Sequence, residues 1–244
     1  MSKSINPLRV VRNVLQQAQK SEDAKHERVE SAGLDPQMAR VREFQGQRIA
    51  ETYRDFSAQP QYAPVMNFFL SDLYGARDFT QRDHDAERAY NFLKKIVPAE
   101  MLKLATEAIE LTRLSHALDE ALLRVLVEQL NFQETLTPEL YAEAYRRCNN
   151  VAERERQIEL LGRVMRAAAE TARFPLTGAA LKMAKGPVHA AGWHEMYAFL
   201  ERGHQAFAKV KKPETFLAAV AERETEIMRR ILRHAAHPFA LGED

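Results

Sequence analysis

Cysteine is almost absent from this 244-residue chain. Cys148 stands alone, which excludes an intramolecular disulfide framework and any cysteine-rich zinc or iron–sulfur site. No oxidising compartment is needed, and a cytoplasmic location is expected. Charge of one sign is absent too. The 35 Lys and Arg face 34 Asp and Glu, so no global field exists to grip nucleic acid or an anionic membrane. No apolar run reaches the roughly 18 residues that span a bilayer, and residues 1–20 lack the apolar core and cleavage site of a secretory signal. The 9 glycines are scattered singly and build neither a Walker loop nor a dinucleotide fingerprint. With no Gly-x-Ser-x-Gly elbow, nucleotide-triphosphatase, Rossmann and hydrolase chemistry are all disfavoured. Strand-like alternation and hairpin dipeptides are missing as well.

What remains is helical. Proline is unwelcome inside helices and favoured in their first turn, and the 10 prolines cut the chain into helix-sized lengths. Between them apolar residues recur at three and four: Ala86, Tyr90, Leu93 and Val97; Leu104, Ala108 and Leu111, then Leu114, Leu118, Leu122 and Val125 beyond an expected break near Ser115. Trp193, Met196, Leu200, Phe207 and Val210 form another stripe. No repeat of solenoid length is present. The pattern predicts an all-α chain folded as a single compact multi-helix bundle of about nine to eleven helices. Residues 1–31 form an N-terminal helical arm in this reading, with Leu8, Val11, Leu15 and Ala18 on one face behind Pro7 and a charged linker over 21–31.

Residues 62–83 predict a rigid corner. Val65, Phe69 and Leu73 share a helical face, Gly75 is suited to a left-handed helix stop, and Thr80 precedes Asp83 at capping-box spacing. The run Phe68-Phe69-Leu70-Ser71-Asp72-Leu73-Tyr74-Gly75, followed by Arg77-Asp78-Phe79 and Arg82-Asp83, resembles the FFLEELY-motif family of bacterial proteins. Tyr141-Ala-Glu-Ala-Tyr145, Arg154-Glu-Arg-Gln157, Ala184-Lys-Gly-Pro187 and Phe199-Leu-Glu-Arg-Gly203 extend that resemblance over most of the chain. Ser71-Asp72 replace the two glutamates of the family's name, so one acid is kept. The resemblance implies an all-helical bacterial protein and carries no reaction, cofactor or catalytic residue.

Several charges fall on apolar stripes. Arg82 and Asp83 continue the Ala86/Tyr90 face, Arg154 and Glu155 continue Ile158/Leu161/Met165, and Glu224, beside Arg223, interrupts Phe216/Val220/Ile227/Ile231. A charge leaving water without a partner costs several kcal/mol. These residues therefore meet one another in an internal salt-bridge network, or they line a polar pocket between helices to which Tyr141 and Tyr145 add hydroxyls. A second candidate is an anion site: residues 171–194 contain no acid, while Arg173, Lys182, Lys185 and His189 gather there and Lys185-Gly186-Pro187 reads as a helix start with free amides. The same alanines and lysines also fit a tight helix crossing with its lysines in water.

Metal binding is not expected. Glu201-Arg-Gly-His204 is a lone Glu-x-x-His that nothing duplicates, His194-Glu195 lacks a second histidine at Ala198, and no cofactor motif occurs. The leading expectation is a non-catalytic binding or regulatory module for a partner protein or for an anionic, partly apolar ligand. An acid–base enzyme built on the Arg/carboxylate/Tyr cluster is the alternative. A peripheral membrane or nucleic-acid binder acting through residues 1–20 and 173–185 is the third reading, and it lacks the usual density of basic and aromatic residues.

Overall fold

Helices begin where the sequence supplies caps and first-turn prolines. The computed structural model describes residues 35–75, 78–93, 99–190 and 192–241; the expected arm over 1–31, Arg77 and Val97 lie outside them. Helix α1 (Pro36–Thr52) opens on Asp35, whose carboxylate accepts from Gln37 N and Met38 N at 2.9 Å. After α2 (Arg54–Ser57) comes α3 (Ala63–Phe68), which runs into a π-helical turn over Phe69–Leu73. Then follow α4 (Thr80–Leu93), α5 (Ala99–Leu130), α6 (Pro138–Arg147), α7 (Val151–Arg173), α8 (Thr177–Ala190), α9 (His194–Ala208) and α10 (Pro213–Leu232). Pro64, Pro138 and Pro213 also sit in first turns, as proline's fixed φ and missing N–H favour. Asn131 and Asn149 adopt left-handed φ of 50° and 49° just beyond α5 and α6, a conformation asparagine tolerates at helix ends.

The architecture is all-α, with no strand among the described residues. Helix α7 is the hub, packed on α5, α8, α9 and α10. Two apolar clusters form around it. One joins Tyr53, Phe56, Tyr62, Phe69, Met165, Phe207 and Phe216; the other joins Val41, Leu122, Leu126, Phe132, Tyr141 and Ile231. Helix α10 belongs to both: Phe216 and Val220 enter the first, Ile227 and Ile231 the second.

Four local expectations are corrected. Helix α5 passes through Ser115 without a break, since Ala99–Leu130 contains neither Pro nor Gly; Ser115 Oγ instead accepts from Gln157 Nε2 on α7 at 2.8 Å. Gly75 is not left-handed; glycine is required there because a Cβ would lie 2.5 Å from the Ser71 carbonyl oxygen. The cap of α4 is Asp78, which accepts from Thr80 N at 2.9 Å and Thr80 Oγ1 at 2.6 Å, while Asp83 turns to Arg82. Finally, α8 is continuous through Lys185, Gly186 and Pro187. Pro187 falls in the last turn, so the hydrogen bond that proline cannot donate is one of the last in the helix.

Leu160 is fully buried on the hub helix α7. Leu160→Ala is expected to cost about 2–5 kcal/mol, read as a fall in the midpoint of chemical denaturation.

Candidate functional site

Between the two apolar clusters runs a cavity of about 190 Å³. Its wall alternates apolar and ionisable groups: Arg42, Arg48, Tyr53, Tyr74, Arg82, Asp119, Tyr141, Tyr145, Arg154 and Glu224 stand among Phe69, Leu161, Val220 and Ile227. The seam explains the interrupted stripe of α10. Glu224 falls between the residues that serve one cluster and those that serve the other.

Glu224 is firmly held. Arg48 Nη1 donates to its Oε1 at 2.5 Å and Tyr53 OH donates to the same oxygen at 2.8 Å. Burial alone would lower the Arg48 pKa, but Glu224 reverses that and holds the guanidinium above its ordinary range. Burial and then Glu224 raise the Tyr53 phenol well above normal, and burial does the same to Tyr74 and Tyr145. These phenols stay protonated and act as neutral hydrogen-bond groups. Next to Glu224 in sequence, Arg223 leaves the seam: it clamps Asp55 at 2.7 and 2.8 Å and lies over Phe56.

Arg154, at the start of α7, is different. Its residue is 5 % exposed, and its guanidinium lies 4.6 Å over the Tyr145 ring. Its hydrogen bonds are long, 3.4 Å to both Gln157 Oε1 and the Leu118 carbonyl, and its buried Nε has no acceptor. No carboxylate among the described residues comes within ion-pair distance of it, although Asp119 is near enough to feel its charge. Asp119 accepts from Gln45 Nε2 at 2.9 Å, and its enclosure in the bundle raises its pKa. Sequence patterning missed Asp119, Gln45, Arg48 and Tyr74. Gln45 at least carried a signal, standing four residues after Val41 and four before Ile49 on the buried face of α1.

Of the residues expected to form a pocket, the structure brings Arg82, Tyr141, Tyr145, Arg154 and Glu224 to this one cavity. Asp83 stands just outside it, 2.6 Å from Arg82 Nη2. Glu155 is exposed on α7, because Arg154 already takes the inward position of that turn. Arg82 is sandwiched between the Phe79 and Phe199 rings, at 4.1 and 4.7 Å, and donates to the Asp72 carbonyl at 2.6 Å.

The expected anion site is dispersed. With α8 unbroken, Lys185 opens no helix; Lys182 and Lys185 are exposed. Arg173 donates to the Val210 and Lys211 carbonyls at 3.0 and 2.6 Å. His189 packs against His194 and Tyr197 with ring centroids at 4.6 and 5.3 Å.

Behind the cavity, Asp72 anchors the corner. It is 2 % exposed and accepts from Arg202 Nε and Nη2 on α9 at 2.9 and 2.5 Å. Phe68 packs on Phe199 at 5.2 Å, and a Cβ on Gly203 would stand only 3.1 Å from the Phe68 ring. Arg202→Ala removes a half-exposed partner and leaves the Asp72 carboxylate with Ser71 Oγ among its remaining donors, and is expected to cost about 1–2 kcal/mol. Adding Asp72→Asn to it is expected to recover part of that loss, measured by denaturation of both variants.

Asp119 gives a pH test. An acid whose pKa is raised by folding binds more protons folded than unfolded. Its favourable contribution is complete below about pH 4, the ordinary carboxylate range, and is lost as pH rises through the raised value. Asp119→Asn is expected to flatten that decline, so that the variant gains stability relative to wild type between pH 4 and pH 7 in parallel melts.

Among the described residues no helix is long and apolar enough to cross a membrane, and no cluster of three His, Cys, Asp or Glu side chains is placed to hold a metal ion. No curated protein and no solved structure matches the chain. A family model described as Domain of unknown function (DUF8198) matches residues 24–238. That match covers most of the sequence, and the chain belongs to the DUF8198 family.

Proposed function

We propose that the protein is a non-catalytic binding or regulatory module that holds a small anionic, partly apolar ligand in the cavity between α1, α5, α6, α7 and α10. One observation carries this reading: the Arg154 guanidinium is buried at the cavity wall with only two long hydrogen bonds and no carboxylate among the described residues within ion-pair distance. Buried charges are otherwise closely paired in folded proteins, and a loosely matched one is costly. A ligand carboxylate or similar anion accepts from it, while Phe69, Leu161 and Ile227 receive an apolar body. The volume suits a small molecule, since roughly 150 Å³ accommodates benzene. The stretches that carry the resemblance to the FFLEELY-motif family also supply Phe69, Leu73, Tyr74, Tyr141, Tyr145, Arg154 and Gln157 of the wall, which supports a shared role for them in binding.

The acid–base reading draws on Asp119, a carboxylate of raised pKa on the same wall. It loses Glu224, whose charge is already matched by Arg48 and Tyr53. Chemical conversion of a bound carboxylate by wild type, abolished in Asp119→Asn, would favour the enzyme.

The binding reading predicts opposite effects from one substitution. Arg154→Gln removes an under-satisfied buried cation, so stability is expected to hold or rise. Small carboxylates are expected to raise the melting temperature of wild type, and Arg154→Gln is expected to weaken their binding at least tenfold, equivalent to about 1.4 kcal/mol. Carboxylate binding unchanged in the variant would sink the proposal.

A further inference from the structure

Away from the cavity, large apolar side chains stand in water where α7 turns into α8. Phe174 is 54 % exposed, Leu176 39 % and Met183 45 %. The Leu176 carbonyl accepts from Ala180 N at 2.9 Å, so this residue shares the phase of α8. Met183 follows it by seven, two turns along the same face, with exposed Ala179 between them and exposed Gly186 and Ala190 beyond. Lys182 and Lys185, also exposed, lie beside that stripe. Exposed large apolar groups gathered in this way mark an interaction surface.

Residues 173–185 by themselves carry few cations, and folding supplies more. Arg173 donates to the Val210 and Lys211 carbonyls at 3.0 and 2.6 Å, which sets the turn between α9 and α10 beside the turn that carries Phe174. Lys209, Lys211 and Lys212 are all exposed there. The charge is largely of one sign: residues 171–194 hold no acid, and Glu214, past the lysine turn, is matched by Arg166 at 2.6 Å. Glu170 and Glu195 only bracket the stretch. An apolar turn and a basic turn thus stand side by side.

We propose that this face docks on an anionic bilayer, with Phe174, Leu176 and Met183 entering the interface and the lysines of α8 and of the α9–α10 turn meeting lipid headgroups. Charge complementarity requires an anionic occupant, because a further cationic surface is repelled. A second copy of the chain brings the same lysines, and residues 1–20 bring Lys3, Arg9, Arg12 and Lys20 with no acid. A bilayer is favoured over an acidic partner helix because the apolar groups stand out from a turn and a helix flank, and the cavity takes no residue from 171–212. An interface receives such side chains without a groove of matching shape.

The test is sedimentation of the full chain with vesicles of phosphatidylcholine alone or mixed with phosphatidylserine. Binding is expected with the mixed vesicles and is expected to weaken as salt is raised. Lys182→Gln with Lys185→Gln is expected to weaken it about 25-fold, about 5-fold for each surface lysine. Phe174→Ser with Met183→Ser is expected to weaken it at least tenfold, with the melting temperature unchanged because both side chains are exposed. In Phe174→Trp, the added emission is expected to shift to the blue when mixed vesicles are added. Mixed vesicles that leave the protein in solution, or binding that survives either double variant, overturn the proposal. If a soluble amphipathic peptide of Glu and Leu binds through Phe174 and Met183 while the vesicles do not, the face takes an acidic partner helix and the bilayer assignment falls. The cavity reading is tested separately, since none of the residues varied here lines the cavity.

Discussion

The Glu224–Arg48 pair is the constraint around which the interior is arranged. Helix α10 packs into two apolar clusters in succession, and Glu224 occupies the turn between them. A carboxylate there is tenable only with a cation and hydrogen-bond donors at hand. Arg48 and Tyr53, both on the α1 side, supply them at 2.5 and 2.8 Å. The pair ties the first described helix to the last. It also keeps the clusters from merging, because a desolvated ion pair admits no apolar contact through itself.

An open polar seam follows from that separation, and two of the guanidiniums on it, those of Arg48 and Arg154, are held very differently. Arg48 is matched by a carboxylate and a phenol drawn toward the same oxygen. Arg154 has a tyrosine face and two long hydrogen bonds. A cation–π contact is worth about 2 kcal/mol when desolvated, less than the several kcal/mol that burying an ion costs. Nothing in the packing explains why a residue so placed is not an apolar one, as Leu160 and Met165 are further along α7. Arg154 is thus matched far more loosely than Arg48 on the same seam.

The helices were legible because period and punctuation agreed: prolines cut the chain into helix-sized lengths, and apolar spacing gave buried faces such as Met196 and Phe207 of α9 and Ile227 and Ile231 of α10. Charges on those faces were legible for the same reason, since Arg154 and Glu224 break stripes whose other members are plain. Geometry within a turn was not. Arg154 and Glu155 are neighbours in sequence, and only the phase of α7 against its partners decides which faces in. Asp119 and Arg48 sit at positions that local pattern reads as ordinary helix surface. They become interior only because α1, α5 and α10 converge at the seam. The Lys185-Gly186-Pro187 run failed as a helix start because α8 carries it within its last turns, through Ala190.

The π turn shows how the corner serves the seam without belonging to it. In an α-helix residues three and four apart share a face, so Asp72 would be carried round with Phe69 and Leu73 toward the cavity. The turn over Phe69–Leu73 instead closes with Tyr74 N–H on the Phe69 carbonyl at 3.0 Å, a five-residue step that widens the helix. Phe69, Leu73 and Tyr74 then line the cavity, while Asp72 faces Arg202 on α9. Asp72 thereby ties the corner to α9 and stays off the cavity wall, while its neighbours Phe69, Leu73 and Tyr74 remain on it.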